Sequence, residues 1–491
     1  MIAVDLGASN GRIVYGVYAN GKIDERVLHR FVNRPVSAGG VLYWDILSLF
    51  AEIKEGFLKA REQGLSFETV GVCSWGNTIA LYDANGDMIA NPVHYRDGRA
   101  WSILNEMHSQ ISEEDMFKNT WYKPMNIQPA VFIRYMLANK PKVMAAVNNA
   151  LMISDVITEY LTGEMTSELT QAATSQLVDL EKLDWNRDYM KKLGIREDMF
   201  PPIMKTGRII GKLKEEFCSQ GPAEVVAVSG HDTASAASCA YSAAPEESLY
   251  LSCGTWSCMG CVTDGVIKDT LLYRLGVTND LGLCGQTQLR FNHTGLWILQ
   301  ECKRSWEISE GSISWETLNE ETDKAEPFLA VIDTEAEDFF KRNDNMPKAV
   351  ADYCKRTGQR VPKTRGEIAR VITESLAFRY RFSADTLKKC SKTDFKVLSM
   401  LGGGSKNELL CSFTANALNM PVLAGPNEAT VLGSFVQQCV AKGLIKDFEE
   451  GRKTARISET IKRFDPKDNE VWDKKYKAAL SVTGWAGGRE E

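Results

Sequence analysis

The first part of the chain alternates between short apolar runs and turns built from glycine and small polar residues. This pattern predicts a strand over Ile2–Leu6, a turn over residues 7–11 and a second strand over residues 12–18. Asn20-Gly21 is a strong hairpin signal. Asp45 is placed to cap an amphipathic helix, whose apolar face consists of Ile46, Leu49, Phe50, Ile53 and Phe57. The chain therefore opens as hairpin strands followed by a helix.

The same order of elements returns after residue 240. The pattern predicts a strand over residues 249–252, a turn at Gly254-Thr255 and a returning strand over Trp256–Val262. Farther on, a helix is predicted over residues 367–389, and a strand over residues 396–401 leads into three consecutive glycines. Residues 405–408, Ser-Lys-Asn-Glu, have the capping-box pattern that opens a helix. The repetition indicates two α/β halves, with domains over residues 1–240 and 241–445 and a helical tail over 446–491.

Asp232 lies between the two halves, at the end of an apolar run. The run over residues 225–228 predicts a buried strand, which stops at Ser229-Gly230. Asp232 then stands where it could cap a helix, whose N-terminus favours an ionised carboxylate. Such a carboxylate in a cleft can accept a proton from an alcohol. Asp232 is therefore the candidate general base, and a plain helix cap is the alternative.

Three glycine-containing segments could bind phosphate. Residues 5–12, Asp-Leu-Gly-Ala-Ser-Asn-Gly-Arg, place backbone N–H groups around one cavity, with Asp5 behind them as a carboxylate on the Mg²⁺ side. A strand follows this turn, so it is neither a Walker loop nor a Rossmann fingerprint. Residues 252–257 form a second such hairpin, and Gly402-Gly403-Gly404 allow a close backbone approach to a ligand. Each segment alone could equally be an ordinary turn or connector, but together with Asp232 they predict a nucleotide site.

Composition and charge narrow the class of protein. A chain of 491 residues is long enough for two or more domains, and a formal net charge of -6 argues against a nucleic-acid surface. The sequence shows neither an apolar run of transmembrane length nor a signal peptide, which predicts a cytoplasmic protein without a membrane role. The 12 scattered cysteines suit reduced thiols. Cys253, Cys258 and Cys261 have a spacing seen in some iron–sulfur proteins, but in strands they are more readily buried small apolar residues.

The chain resembles the FGGY carbohydrate kinases from Ile2 to about Ser434. The resemblance rests on motifs spread along the whole of that span: residues 3–9, Tyr95-Arg96-Asp97, residues 229–235, residues 250–257, residues 295–300, residues 401–404 and residues 424–429. It implies an α/β fold of two actin-like (ribonuclease H-like) ATPase domains, with the active site in the inter-domain cleft and a hinge near residues 232–248. It implies ATP as co-substrate, Mg²⁺ as cofactor, and a monomer or homodimer that needs no further partner than ATP and a small ketose.

The resemblance also assigns roles to single positions. Asp232 would be the general base and Asp5 the metal-side carboxylate. The residues implied for ATP are Ala8, Ser9, Asn10, Gly11, Arg12, Thr255, Gln300 and Gly403. The residues implied for the sugar are Gly76, His231, Thr233 and Asn292. The implied reaction is phosphorylation of the primary 1-hydroxyl of a ketose, and L-rhamnulose is the first candidate for that ketose.

The identity of the sugar stays open at this point. The branch of the family that acts on L-rhamnulose usually reads Thr-Trp-Gly-Val-Asp where this chain reads Ser74-Trp75-Gly76-Asn77-Thr78. A hydroxyl at Thr78 in place of a carboxylate could change which sugar hydroxyls are bound. L-fuculose or a pentulose is therefore an alternative substrate. A non-catalytic ATPase of the actin fold is a more distant alternative.

Overall fold

The computed structural model describes residues 1–240, 247–339 and 345–485, so part of the predicted hinge, residues 241–246, lies outside the described residues. Elements are numbered in chain order. The strands are β1 (Ile2–Leu6), β2 (Asn10–Ala19), β3 (Lys22–Val32), β4 (Val36–Ala38), β5 (Val41–Tyr43), β6 (Thr69–Ser74), β7 (Ile79–Tyr82), β8 (Asn149–Met152), β9 (Ser167–Glu168), β10 (Val178–Asp179), β11 (Asp184–Trp185), β12 (Ile203–Met204), β13 (Arg208–Lys212), β14 (Glu224–Ala227), β15 (Ser248–Cys253), β16 (Trp256–Val262), β17 (Thr278–Leu281), β18 (Thr287–Thr294), β19 (Val397–Leu401), β20 (Val422–Ala424) and β21 (Lys462–Phe464).

The helices cover both halves of the chain and the tail. They are α1 (Ile46–Glu62), α2 (Trp101–Gln110), α3 (Glu113–Thr120), α4 (Pro129–Asn139), α5 (Pro141–Met144), α6 (Ile153–Thr162), α7 (Leu169–Ala173), α8 (Arg187–Lys192), α9 (Asp232–Ser238), α10 (Thr270–Leu275), α11 (Trp297–Glu310), α12 (Trp315–Lys324), α13 (Met346–Arg356), α14 (Arg365–Ser391), α15 (Glu408–Leu418), α16 (Ala429–Ala441), α17 (Phe448–Ser458) and α18 (Asn469–Thr483). Among the described residues no helix is both long and apolar enough to cross a membrane.

Two large sheets repeat one topology. The first has the order β13-β14-β6-β1-β2-β3, and the second has the order β17-β18-β16-β15-β19-β20-β21. In the first sheet β1 pairs antiparallel with β2 and parallel with β6, which in turn pairs parallel with β14. In the second, β15 pairs antiparallel with β16 and parallel with β19, which pairs parallel with β20. This confirms the pseudo-repeat and the two actin-like domains.

The local predictions at the start of each half are mostly confirmed. Asn20 and Gly21 both have positive φ, at 52° and 75°, as a two-residue hairpin requires. The Asp45 side chain caps α1 by accepting from the backbone N–H of Ser48 at 3.2 Å. Helix α14 lies almost wholly in the core of the second domain, because its apolar residues face several neighbouring elements. Hydrophobic periodicity therefore predicted these elements correctly.

Two predicted helix starts differ from the structure. The residue before α9 is His231, whose backbone is extended, so Asp232 is the first helical residue rather than the cap. His231 is held extended because it forms a parallel bridge with Ser74, the last residue of β6. Likewise Ser405 does not open a capping box. Residues 403–406 form a 3₁₀ turn, and Asn407 caps α15 by accepting from the N–H of Leu410 at 3.0 Å.

Candidate active site

The turn that carries Asp232 is held by three side chains from two distant parts of the chain. The N–H of Ser229 donates to Gln437 Oε1 at 2.6 Å, and that of Gly230 donates to Glu168 Oε2 at 2.9 Å. The N–H of His231 donates to Thr170 Oγ1 at 3.1 Å. Three successive backbone donors at the end of β14 are thus satisfied by buried side chains. This fixes the direction in which Asp232 leaves the strand.

Glu168 and Gln171 tie this turn to the end of β6. The Gln171 amide donates to the carbonyls of Gly230 at 2.9 Å and Ser74 at 3.1 Å. Glu168 Oε2 also accepts from the N–H groups of Thr170 and Gln171, at 2.9 and 3.0 Å. A Cβ on Gly230 would lie 2.6 Å from Ser154 Oγ, so only glycine fits at this position. The three residues that hold this turn, Glu168, Thr170 and Gln171, were not predicted as site residues from the sequence.

Asp232 is a carboxylate whose pKa lies close to neutral pH. Its side chain is 31% exposed. Desolvation, and next the negative charge of Asp5, raise the pKa of Asp232 to about 6, although Thr233 opposes the rise. Thr233 donates to Asp232 Oδ1 from its N–H at 2.5 Å and from its hydroxyl at 3.1 Å. The carboxylate can therefore hold or release a proton near neutral pH, as a general base must.

His231 lies beside Asp232 and is uncharged. Its Nε2 is 3.6 Å from Asp232 Oδ1, and its ring is buried. Burial, and next the positive charge of Arg290, hold the pKa of His231 well below its ordinary value. Its Nδ1 is buried and has no hydrogen-bond partner among the described residues. The ring thus offers the cleft a neutral polar group.

The first glycine turn leaves backbone donors open. The N–H of Gly7 donates to the carbonyl of Asn10 at 2.8 Å, which closes the turn between β1 and β2. Asn33 holds the turn from outside, because its side chain donates to the carbonyl of Gly7 at 3.0 Å. Within the described residues, the N–H groups of Ala8 and Ser9 make no hydrogen bond. Open N–H groups in a tight turn are suited to an anion.

Arg12 connects this turn to the other half of the chain. Arg12 is paired with Asp5 in the antiparallel ladder, and its Nε donates to Asp5 Oδ2 at 2.7 Å. Its Nη1 donates to Glu428, which precedes α16. Helix α16 in turn packs on β1 and β6 of the first sheet, although in the chain it lies between β20 and β21 of the second sheet. The turn therefore sits where both halves meet.

The predicted nucleotide residues of the second half lie together. The Thr255 hydroxyl, in the hairpin between β15 and β16, donates to Gln300 Oε1 at 3.1 Å. The triple glycine packs on the same hairpin: a Cβ on Gly404 would lie 2.2 Å from Cys253 Sγ. A Cβ on Gly403, by contrast, would meet nothing within 4 Å. Glycine is required at 404 for packing, and residue 403 faces open space.

The residues predicted for the sugar lie on different parts of the fold. Gly76 packs on Thr174, whose side chain would lie 2.9 Å from a Cβ at that position. Asn292 is exposed and is the cross-strand neighbour of Cys258. Burial raises the pKa of the Cys258 thiol to about 12, and the charges of Arg290, Asp280 and Asp232 act on it in turn. Next to Gly76, a pocket is lined by residues that include Asn77, His94, Tyr95 and Phe132.

Thr78 lies behind this pocket and does not line it. Its side chain is buried, and its Oγ1 accepts from the indole N–H groups of Trp75 at 3.0 Å and Trp44 at 3.2 Å. Trp44 stacks on His94, with ring centroids 4.0 Å apart. Any effect of Thr78 on the sugar must therefore pass through these aromatic rings.

The chain belongs to the FGGY family of carbohydrate kinases. Residues 1–239 match the model of the N-terminal domain of that family, and residues 249–442 match the model of its C-terminal domain. The chain is therefore a carbohydrate kinase. It is similar to curated rhamnulokinases. The one from Bacteroides thetaiotaomicron is 35% identical over 96% of this chain and 97% of its own length. The one from Bacillus subtilis is 31% identical over 95% of each chain.

Solved structures show the same fold at lower identity. Ligand-bound xylulose kinase from Lactobacillus acidophilus superposes with a TM-score of 0.78 at 16% identity, over 98% of this chain and 97% of its own. Glycerol kinase from Plasmodium falciparum with ADP superposes with a TM-score of 0.75 at 16% identity, over 98% and 97%. These likenesses support the two-domain architecture.

Proposed function

We propose that this kinase transfers the γ-phosphoryl group of ATP to the primary 1-hydroxyl of L-rhamnulose. The observation that carries the proposal is the Asp232 carboxylate, whose turn is fixed by Gln437, Glu168 and Thr170 and whose pKa is raised to about 6 by burial and by the charge of Asp5. The similarity to rhamnulokinases over nearly the full length supports the choice of sugar. L-fuculose and pentuloses are less favoured, because the xylulose kinase reported above is only 16% identical to this chain, whereas the rhamnulokinases are 31% and 35% identical.

In the proposed mechanism Asp232 orients the 1-hydroxyl and accepts its proton as the oxygen attacks the γ-phosphorus. Phosphoryl transfer needs mainly positioning and stabilisation of charge. The backbone donors of Ala8, Ser9, Asn10 and Gly11, together with Arg12, would face the phosphates from the first domain. Thr255, Gln300 and Gly403 would face the nucleotide from the second. Gly76, His231, Thr233 and Asn292 would surround the sugar.

The residues present fit a magnesium ion bound with ATP. Burial, and next the charge of Asp5, raise the pKa of Asp232, so the two carboxylates interact electrostatically. Within the described ranges, no group of three or more His, Cys, Asp or Glu side chains could hold a metal ion by itself. Mg²⁺ typically uses one or two carboxylates and completes its shell with phosphate oxygens and water. Asp5 would hold the ion, which would neutralise phosphate charge.

A substrate panel tests the proposed sugar. We expect ATP- and Mg²⁺-dependent ADP release with L-rhamnulose at a kcat/KM about tenfold or more above that with L-fuculose, L-ribulose or D-xylulose, because hydroxyl-reading sites discriminate strongly. The product is identified as the 1-phosphate by ³¹P and ¹³C NMR. A preference for another ketose would change the proposed substrate but not the assignment of the protein as a kinase. ADP release that does not depend on any sugar, with no phosphosugar formed, would instead favour the non-catalytic ATPase.

The pH dependence of the reaction tests the base. Asp232 with a pKa of about 6 is protonated in more acidic solution and cannot then accept a proton. We expect kcat/KM for the ketose to fall about tenfold per pH unit below the pKa and to become constant near pH 7. A rate that stays constant from pH 7 down to pH 5 would contradict the assignment of Asp232 as the base.

A further inference from the structure

Arg96 is a cation at the cleft that none of the roles above uses. It is exposed, and its guanidinium carbon lies 5.4 Å from the ring centroid of Trp256 and 5.9 Å from that of Tyr95. Trp256 belongs to the second domain and directly follows Thr255, the predicted phosphate residue. Tyr95 belongs to the first domain, and its pKa is influenced by both Arg96 and Asp232. Arg96 therefore reaches across the cleft, from the surroundings of the base to the phosphate hairpin.

The backbone around Arg96 is fixed by hydrogen bonds. Its N–H donates to Nδ1 of His94 at 3.0 Å, and the N–H of Asp97 donates to the His94 carbonyl at 2.8 Å. Asp97 in turn accepts from the N–H of Leu42 at 2.8 Å. Desolvation, and next the charge of Arg96, lower the pKa of His94 to about 4, so the ring stays neutral and can accept. The guanidinium is thus presented to the cleft from a braced turn.

The other cations around the cleft are already neutralised. Arg12 contacts both Asp5 and Glu428. Arg290 is buried against Asp280. Two further basic groups are also in contact with acids: Arg99 Nε lies 2.7 Å from Asp97 Oδ1, and Lys406 Nζ lies 3.9 Å from Glu428 Oε1.

Arg96, unlike these cations, forms no ion pair among the described residues. Among the residues that the structure describes, no carboxylate lies within ion-pair distance of Arg96, so its charge is available to a ligand. A planar guanidinium with several donors suits phosphate oxygens better than any other side chain does. Trp256 supplies a surface on which the cation can rest without losing those donors.

We propose that Arg96 binds the phosphoryl group that is transferred, and that it keeps contact with this group in the ketose 1-phosphate product. The inference rests on the proposed kinase reaction, whose bond-making steps it leaves unchanged. Arg96 donates hydrogen bonds to phosphoryl oxygens while the O–P bond to ADP breaks and the bond to the sugar oxygen forms. Arg96 is in this sense a catalytic residue, while Trp256 and His94 position it.

The test compares Arg96→Gln with the wild type, using whichever ketose the wild type phosphorylates fastest. The choice of sugar therefore cannot confound the result. We expect Arg96→Gln to lower kcat and to weaken binding of the ketose 1-phosphate, each by about 30-fold, as expected for loss of a charged hydrogen bond. Binding of the unphosphorylated ketose, measured by calorimetry, should change by less than about threefold, because a neutral sugar offers Arg96 no charge. Arg96→Lys should be intermediate, because it keeps the charge but loses the fork.

Two controls separate this role from a purely structural one. Trp256→Leu removes the surface that positions Arg96 but leaves its charge, so the ratio of product affinity to ketose affinity should fall by less than it does in Arg96→Gln. Arg208→Gln removes an exposed arginine from the edge strand β13 and should leave all constants unchanged. The proposal is overturned if Arg96→Gln keeps the wild-type affinity ratio. It is also overturned if Trp256→Leu lowers that ratio more than Arg96→Gln does, because the aromatic ring rather than the guanidinium would then recognise the product.

Discussion

Asp232→Asn should abolish turnover while leaving both substrates bound. The asparagine side chain keeps an oxygen that can accept from the N–H of Thr233, now at 2.5 Å, so the first turn of α9 should be preserved. The amide cannot accept the proton of the sugar hydroxyl. We expect kcat to fall by about 10³-fold or more, which is the range for loss of a general base, with little change in the Kd for ATP and ketose. Stopped assays with purified enzyme and calorimetry measure the two quantities.

The same variant carries its own test of folding. The pKa of Asp232 is raised in the folded state, so the carboxylate reduces stability as the pH rises from its ordinary value of 3.8 through about 6. Asp232→Asn lacks that loss and should be at least as stable as the wild type at pH 8. The matched change Asp24→Asn, at an exposed position of β3, should alter neither activity nor stability. Near-normal turnover in Asp232→Asn would remove Asp232 from the role of base.

The sequence predicted the framework of the site because that framework is local. Strand alternation, an Asn-Gly turn and apolar helix faces are short-range patterns, and each is decided within a few residues. Asp232 could be found because it follows a strand end that is visible in the sequence. The glycine turns were ambiguous one by one, and only their number and order, together with the family resemblance, indicated a nucleotide site.

The support for Asp232 could not be predicted, because it is made of long-range contacts. The bond from Gly230 to Glu168 spans 62 positions, and the bond from Ser229 to Gln437 spans 208. Glu168, Thr170 and Gln171 are polar residues that are nevertheless buried. Side chains of these types are expected at the surface when burial is unknown. The role of Thr78 could not be predicted for the same reason. Its hydroxyl accepts from the indole N–H groups of Trp44 and Trp75, so Thr78 supports the aromatic rings behind the pocket.

The prediction that a capping box at Ser405 opens α15 was wrong for a different reason. Ser405 fits the capping-box pattern, but its hydroxyl donates to the carbonyl of Gly402 at 2.6 Å and to Asn427 Oδ1 at 2.9 Å. These bonds hold the triple glycine against the segment that precedes α16. A side chain that a pattern assigns to local capping is therefore used to join two parts of the site. The residues that brace this active site are thus harder to read from the sequence than those that line it.

Removing the Glu168 carboxylate should be nearly as damaging as removing the base. Glu168 Oε2 accepts from the N–H groups of Thr170, Gln171 and Gly230, all at 2.9–3.0 Å. In Glu168→Ala these buried donors lose their acceptor, which should lower the free energy of unfolding by about 3–5 kcal/mol. The turn before Asp232 would also lose its anchor, and a small misplacement of a reacting group costs about 10²-fold in kcat. Urea unfolding and steady-state kinetics measure the two effects.

Glu168→Gln is the matched control that separates shape and hydrogen bonding from charge. Its amide oxygen can still accept from the three N–H groups, while its amide nitrogen faces Thr206, whose hydroxyl now donates to Glu168 Oε1 at 3.3 Å. We expect Glu168→Gln to lose less than about 1.5 kcal/mol of stability and to keep kcat within about tenfold of the wild type, because the anchor remains. Its pH midpoint for kcat/KM should stay that of Asp232, since Glu168 only positions the turn. Wild-type kcat in Glu168→Ala, or equal losses in both variants, would show that the turn does not depend on this anchor.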